Sequence, residues 1–256
     1  MQSLALPALV SVILSMASGS LLAEHSITLN SSLKRSALVE LYTSEGCSSC
    51  PPAETWLQQL IETPQHELDT LVLEFHVDYW DYIGWKDRFG DPAYTARQRK
   101  LARNNQQRTI YTPEFFVDGK EARGTQHVVQ LIQSSNREHS PARLELTVTP
   151  TAQQFELQLN SQIVTLSDYQ IRFVVFENDL TSAIKRGENG GRQLQHQRVV
   201  RYLSPLLAAA PELRHVIPVN TDWNLQNLGV AALLSNTRGD YIQSVSGPVT
   251  FDLSIH

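Results

Sequence analysis

Ala37-Leu-Val-Glu-Leu-Tyr-Thr-Ser-Glu-Gly-Cys-Ser-Ser-Cys-Pro-Pro-Ala53 is the stretch on which the reading of this chain turns. Its first seven residues, as far as Thr43, predict a strand. From Ala53 onward, Trp56, Leu57, Leu60 and Ile61 recur at i, i+3, i+4, i+7 and i+8, predicting a helix to about Glu62 with one buried face. Cys47-Ser48-Ser49-Cys50 lies at the junction. The first amides of a helix lack intrahelical partners and the macrodipole favours an anion there, so a cysteine at this place is favoured as its thiolate. Cys47 is then the nucleophile in disulfide exchange, and Cys50, three residues on and facing inward, resolves the mixed disulfide. Pro51 and Pro52 suit a first helical turn, where missing N–H groups cost least.

Two other chemistries compete for the same cysteines. One is an inert local disulfide, although a ring of about four residues stabilises by roughly 2 kcal/mol against about 4.7 for a 100-residue loop. The other is a copper or other soft-metal module using Cys47, Cys50 and His76, a histidine on the neighbouring predicted strand.

Working outward, Thr70–Val77 is nearly continuously apolar, as a central parallel strand is. Pro92–Asn105 suits a helix, Glu114–Asp118 a short strand, and Asp118-Gly119 a hairpin turn. Thr125 is placed to cap a last helix carrying Val128, Val129 and Ile132. A proline directly before a strand fits a cis bond, so Thr112-Pro113 predicts a cis loop that orients a substrate peptide; a trans proline opening the strand is the alternative. Glu40, seven residues before Cys47, reads from the strand alone as an outward-facing glutamate. Glu45, if close to Cys47, opposes thiolate formation. Tyr79–Phe89 holds a cluster of aromatics that either docks a polypeptide or plugs an inter-domain seam, and Asp78, Asp81 and Asp87 lie in or beside it.

Ser134–Arg143 loses periodicity and reads as a linker. Beyond it, Arg143–Thr149 and Phe155–Leu159 alternate apolar with polar residues, and 170–177, 213–219, 229–234 and 241–245 are further strands, which together predict a β-sandwich. Arg192, His196, Arg198 and Arg201 form a basic stripe on a strand edge or against the first domain. The expectation is therefore an α/β sandwich over residues 36–136 followed by an all-β, sandwich-like C-terminal domain over 142–256.

Residues 1–23 contain no Lys, Arg, Asp or Glu, have an apolar core from Leu4 to Met16, and end in small residues. They read as a signal peptide or N-terminal anchor, and the protein as periplasmic or secreted, touching a membrane only if that segment is retained. A net charge of −5 argues against nucleic acid, and an apolar fraction of 41% with 18% charged residues argues against disorder. No Ser-His-Asp arrangement, P-loop or HExxH motif occurs.

The strand–CxxC–helix unit followed by Thr-Pro, a strand and Asp-Gly resembles the thioredoxin fold. More narrowly, Val39–Ala53, Phe75–Asp87, Tyr111–Gly119 and Arg186–Arg201 resemble an exported bacterial thioredoxin-like family known as domain of unknown function 1223. The resemblance implies a thioredoxin-like sandwich and export but brings no settled activity. The site residues themselves point to a thiol–disulfide oxidoreductase with Cys47, Cys50, Thr112 and Pro113 in its site, and the resemblance adds Glu40 as a candidate general base, one residue before Leu41, where counting puts the buried carboxylate that thioredoxins use to relay a proton. Such an enzyme needs no bound cofactor; its partners are thiol- or disulfide-bearing proteins and a redox partner protein. A non-catalytic interaction protein built on the same fold is the third reading.

Overall fold

The computed structural model describes residues 26–62, 68–151, 153–163 and 165–249. The predicted export segment, 1–23, lies outside them. In chain order the first half forms β1 (Ile27–Asn30), β2 (Ala37–Thr43), α1 (Pro51–Glu62), β3 (Thr70–His76), α2 (Pro92–Asn104), β4 (Glu114–Val117), β5 (Lys120–Ala122) and α3 (Thr125–Asn136). The second half contributes β6 (Ala142–Pro150), β7 (Gln154–Ile163), β8 (Tyr169–Glu177), β9 (Leu180–Ala183), β10 (Gln193–His196), β11 (Val199–Leu203) and β12 (Leu207–Ala208). It ends with β13 (Glu212–Pro218), β14 (Leu228–Asn236) and β15 (Tyr241–Pro248).

These strands do not divide into two domains' worth of sheet. One mixed nine-stranded sheet runs β15-β14-β8-β11-β3-β2-β4-β5, with β12 paired to β8, and so passes through both halves of the chain. β11 is the joint. It lies antiparallel to β8 and parallel to β3, where Val199 pairs with Glu74 and the Glu74 amide donates to the Arg198 carbonyl at 2.9 Å. A four-stranded antiparallel sheet, β1-β6-β7-β13, packs on the wing formed by β8, β14 and β15. The β9–β10 hairpin stands apart from both sheets and packs on α1.

The expected α/β thioredoxin-like sandwich followed by an all-β, sandwich-like C-terminal domain is therefore corrected. The chain is mostly β-sheet, with fifteen strands against three α-helices among the described residues, and its principal sheet is shared. The physical reason is the open edge of β3: unpaired amides and carbonyls there demand partners, and Val199–Leu203, which the periodicity reading passed over, supplies them. The N-terminal strand β1 likewise crosses the expected linker to pair with β6.

Side-chain alternation sorts the core. On β8, Ile171, Phe173 and Val175 enter the sandwich with the four-stranded sheet, whereas Val174 and Phe176 face the layer that holds Tyr94 and Leu101 of α2. On β2, Ala37, Val39 and Leu41 meet Leu57 of α1 and Val128 and Ile132 of α3, while Leu38 and Tyr42 face α2. The Asp118-Gly119 turn forms as expected, both residues having positive φ. Thr125 is the first residue of α3 and not its cap; that place belongs to Gly124 at φ 81°. Among the described residues, no helix is long and apolar enough to cross a membrane.

Candidate functional site

The loop between β2 and α1 carries a disulfide joining Cys47 and Cys50. The Cys50 carbonyl accepts from the amides of Ala53 and Glu54 at 2.9 and 3.2 Å, so it closes the first turn of α1, and the Cys50 amide donates to the Cys47 carbonyl at 3.3 Å. The Ser49 hydroxyl lies 3.4 Å from Cys47 Sγ. The expected strand–cysteine–helix geometry is present.

The Thr112–Pro113 bond is cis. Two side chains fix its loop. Trp80 Nε1 donates to Thr112 Oγ1 at 2.7 Å, and Gln98, from α2, donates to the Tyr111 carbonyl and to Glu114 at 2.7 and 2.6 Å. Trp80 also packs against the cysteine loop: a Cβ built on Gly46 would stand 3.0 Å from Trp80 Cβ, so a side chain there is disfavoured. Ser49, Ala53, Pro113 and Phe115 help to wall one apolar groove of about 690 Å³. The groove brings the cysteine loop and the cis-proline loop to one surface.

Cys47 is not open to solvent. Cys47 is 1% exposed, beneath the segment that links β9 to β10. The Asn189 side-chain amide donates to the carbonyls of both Glu45 and Cys47 at 2.9 Å, and the Ser48 amide donates to Glu188 at 3.3 Å. The aromatic loop divides its roles. Trp85 Nε1 donates to Glu45 Oε2 at 2.6 Å and a Cβ on Gly187 would meet Trp85, so Trp85 plugs the seam, whereas Tyr82 is 82% exposed.

Glu40 is corrected as well. It faces α2, where Arg97 grips both carboxylate oxygens at 2.5 and 2.8 Å and the Tyr42 hydroxyl donates to it at 2.8 Å. The reason is the strand period: Leu41 points to the α1 side, and one residue earlier reverses the face. The carboxylate beneath the cysteines is Glu54, buried one helical turn beyond Cys50 and bonded to Thr43. Its signal was legible: an acid at i+4 from Cys50 and i−3 from Leu57 lies on the apolar stripe of α1.

Glu54 belongs to a buried cluster with Glu45, Glu74, His76, Asp87 and His196. Glu74 and His76 share the α1-side face of β3, and β10 delivers His196 from the other half of the chain. His76 Nδ1 lies 2.7 Å from Asp87 Oδ2, whose carboxylate also accepts from the amides of Glu45 and Phe89. His196 lies 3.3 Å from Glu54 Oε2 and 3.5 Å from Glu45 Oε1. Burial opposes protonation of His76, but the Asp87 carboxylate overrides it and holds the imidazolium well above its usual range. Burial likewise opposes protonation of His196, and the Glu45 and Glu54 carboxylates beside it reverse that, to about 9. Glu74 is pushed up to about 7 by burial, against the opposing pull of the His76 imidazolium.

The suggested metal set of Cys47, Cys50 and His76 is not assembled, because both sulfurs are bonded to each other. His76 instead converges with Glu74 and His196, their ligand atoms lying within 4.8 Å of one another. The basic stripe is also dispersed. His196 is buried, Arg198 lies over the Phe176 ring at 4.8 Å, and Arg201 pairs with Glu177 and Asp222.

The family described as "Protein of unknown function (DUF1223)" matches residues 38–235, and the chain belongs to it. A crystal structure of protein AGR_C_4864 from Agrobacterium tumefaciens superposes with a TM-score of 0.62 at 22% identity, covering 87% of this chain and 99% of that one. HBP35 of Porphyromonas gingivalis superposes with a TM-score of 0.65 at 15% identity, covering 88% of this chain and 79% of that one. At these identities the likeness is one of fold. No curated protein matches the sequence.

Proposed function

We propose that this member of the family is an exported thiol–disulfide oxidoreductase acting on polypeptides through Cys47 and Cys50. The observation that carries the reading is the disulfide at the N-terminus of α1, set in a loop that shares an apolar groove with the Thr112–Pro113 turn. In the reduced state, the Cys47 thiolate attacks one sulfur of a substrate disulfide. That S–S bond breaks, a mixed disulfide forms, and the departing substrate thiolate takes up a proton. Cys50, deprotonated, then attacks Cys47 Sγ and releases the second substrate thiolate. Two electrons pass to the substrate, and the enzyme is left as the Cys47–Cys50 disulfide, which a partner dithiol reduces again. The apolar wall of Pro113 and Phe115 suits an unfolded polypeptide chain better than a small polar thiol. An exported location, read from residues 1–23, suits the chemistry because disulfides persist in oxidising compartments.

Cys47 lies under the Asn189 segment, so exchange requires that segment to lift. The test is insulin reduction with dithiothreitol as electron donor, comparing the protein with Cys47→Ser. The protein accelerates precipitation and the variant does not; equal rates for the two overturn the proposal.

A further inference from the structure

The buried cluster below the cysteines has a chemistry that disulfide exchange does not use. Glu74, His76 and His196 are each no more than 1% exposed. Among the described residues, both carboxylate oxygens of Glu74, Nε2 of His76 and both ring nitrogens of His196 lack a partner at full hydrogen-bonding geometry, and their carboxylate–imidazole contacts are ion pairs at 3.3, 3.5 and 3.9 Å. Holding buried polar groups in such long contacts is unfavourable, the more so when they are charged. One ligand atom from each of the three residues lies within 4.8 Å of the other two.

Charge gives a second, independent argument. Four carboxyl groups (Glu45, Glu54, Glu74 and Asp87) face two imidazoles, and the ion pairs they make among the described residues are with one another, not with lysine or arginine. Carboxyl groups outnumber imidazoles by two in this buried volume, a deficit of cationic partners. A dication balances that deficit.

The orientation of His76 is a third. Its Nδ1 is held 2.7 Å from Asp87, which turns Nε2 toward Glu74, 3.9 Å away. A carboxylate gripping the far nitrogen of a histidine is how proteins aim an imidazole at a metal and raise its basicity.

We propose that Glu74, His76 and His196 form a buried site for one divalent transition-metal ion of the zinc class. Two imidazoles and a carboxylate suit that class; calcium and magnesium take more oxygen ligands, and copper(I) prefers sulfur. Glu45 and Glu54, both beside His196, are the further carboxylate donors. The ion ties β10 to β3 and so fastens the β9–β10 hairpin, whose connecting segment covers the disulfide. This site is independent of the exchange chemistry, since it uses neither cysteine.

The test uses the full chain, stripped with a chelator and titrated with zinc alone and with cobalt(II) alone. One zinc per chain binds and survives gel filtration. The cobalt complex shows visible d–d bands without a thiolate charge-transfer band. Glu74→Gln and His196→Gln, each verified as folded by circular dichroism, lose at least tenfold in affinity. Asp87→Asn loses roughly 10–100-fold, as expected for a group that aims a ligand. The Cys47→Ser, Cys50→Ser double variant binds as the parent does. Absence of zinc and cobalt binding by the parent overturns the proposal, as does a thiolate band or undiminished binding by folded Glu74→Gln and His196→Gln. Because the double variant cannot exchange disulfides, its metal binding separates this proposal from the oxidoreductase reading.

Discussion

The Asn189 side-chain amide reaches across from the second half of the chain to the Cys47 carbonyl at 2.9 Å, and its other N–H serves the Glu45 carbonyl at the same distance. One buried residue thus fastens the β9–β10 connection over the disulfide. Asn189→Ala removes both donors, leaving the Glu45 carbonyl unserved and the Cys47 carbonyl with the Cys50 amide alone, at about 1–3 kcal/mol. Since about 1.4 kcal/mol is tenfold in an opening equilibrium, the disulfide becomes roughly 5–150-fold faster to reduce by a small thiol, provided opening precedes attack. Thiol titration against time with dithiothreitol measures it. An unchanged rate refutes the covering role of this segment.

Glu40 and Arg97 form a pair on the α2 side of the sheet, away from the cysteines. Glu40→Gln removes the charge that Arg97 grips, and costs about 1–3 kcal/mol of stability in a pair that is partly open to solvent. It leaves insulin reduction unchanged. Urea denaturation and the turbidity assay, run on one preparation, give both numbers. A stable but inactive variant returns Glu40 to the site.

Gly229 of β14 lies against the Phe176 ring. A Cβ there falls 2.2 Å from Phe176 Cζ, and the ring is buried with no free end to swing aside. Gly229→Ala therefore overpacks the face of the sheet that meets α2, costing about 1–3 kcal/mol. Gly247→Ala meets only the terminal carbons of Leu29, the nearest at 2.5 Å, and a leucine rotamer can yield. Thermal denaturation of the two variants ranks them, with Gly229→Ala the lower. The reverse order contradicts this account.

His215 stacks on Phe173 with the ring planes 7° apart and lies 2.9 Å from the Tyr202 hydroxyl. Burial holds its imidazole below the usual value, so the folded state prefers the neutral ring. The unfolded chain protonates near pH 6.5, and the folded one at lower pH. The contribution of His215 to stability is thus whole above about 6.5, falls as the pH drops below that value, and levels off once the folded-state histidine is itself protonated. His215→Phe keeps the stack and removes the titration. The variant loses less stability than the parent between pH 8 and pH 5 in urea denaturation. An equal loss in both rules His215 out.

The cysteine loop was legible in the linear order because its signals are local. An apolar stripe, two prolines at a first turn and a preceding strand specify where α1 begins, and Cys47 and Cys50 follow from that beginning. The same local logic placed the Asp118-Gly119 turn and marked Thr112-Pro113 as a cis bond. Glu40 was misplaced because a strand's period of two makes a single residue the difference between faces. Glu74 and His76 stood openly in a run of apolar residues, two apart and hence on one face, but a strand cannot announce what it will meet.

What they meet comes from His196, 120 residues further along the chain than His76. Its arrival depends on β11 closing the open edge of β3, on the β9–β10 hairpin folding back against α1, and on Asn189 latching the connection over Cys47. Hydrogen-bond demand at a sheet edge and the burial of apolar faces settle these pairings, and both depend on which surfaces coincide in space. Helix and strand periods are written into neighbouring residues. The covered disulfide and the carboxylate–imidazole cluster beneath it exist only once distant segments close on one another.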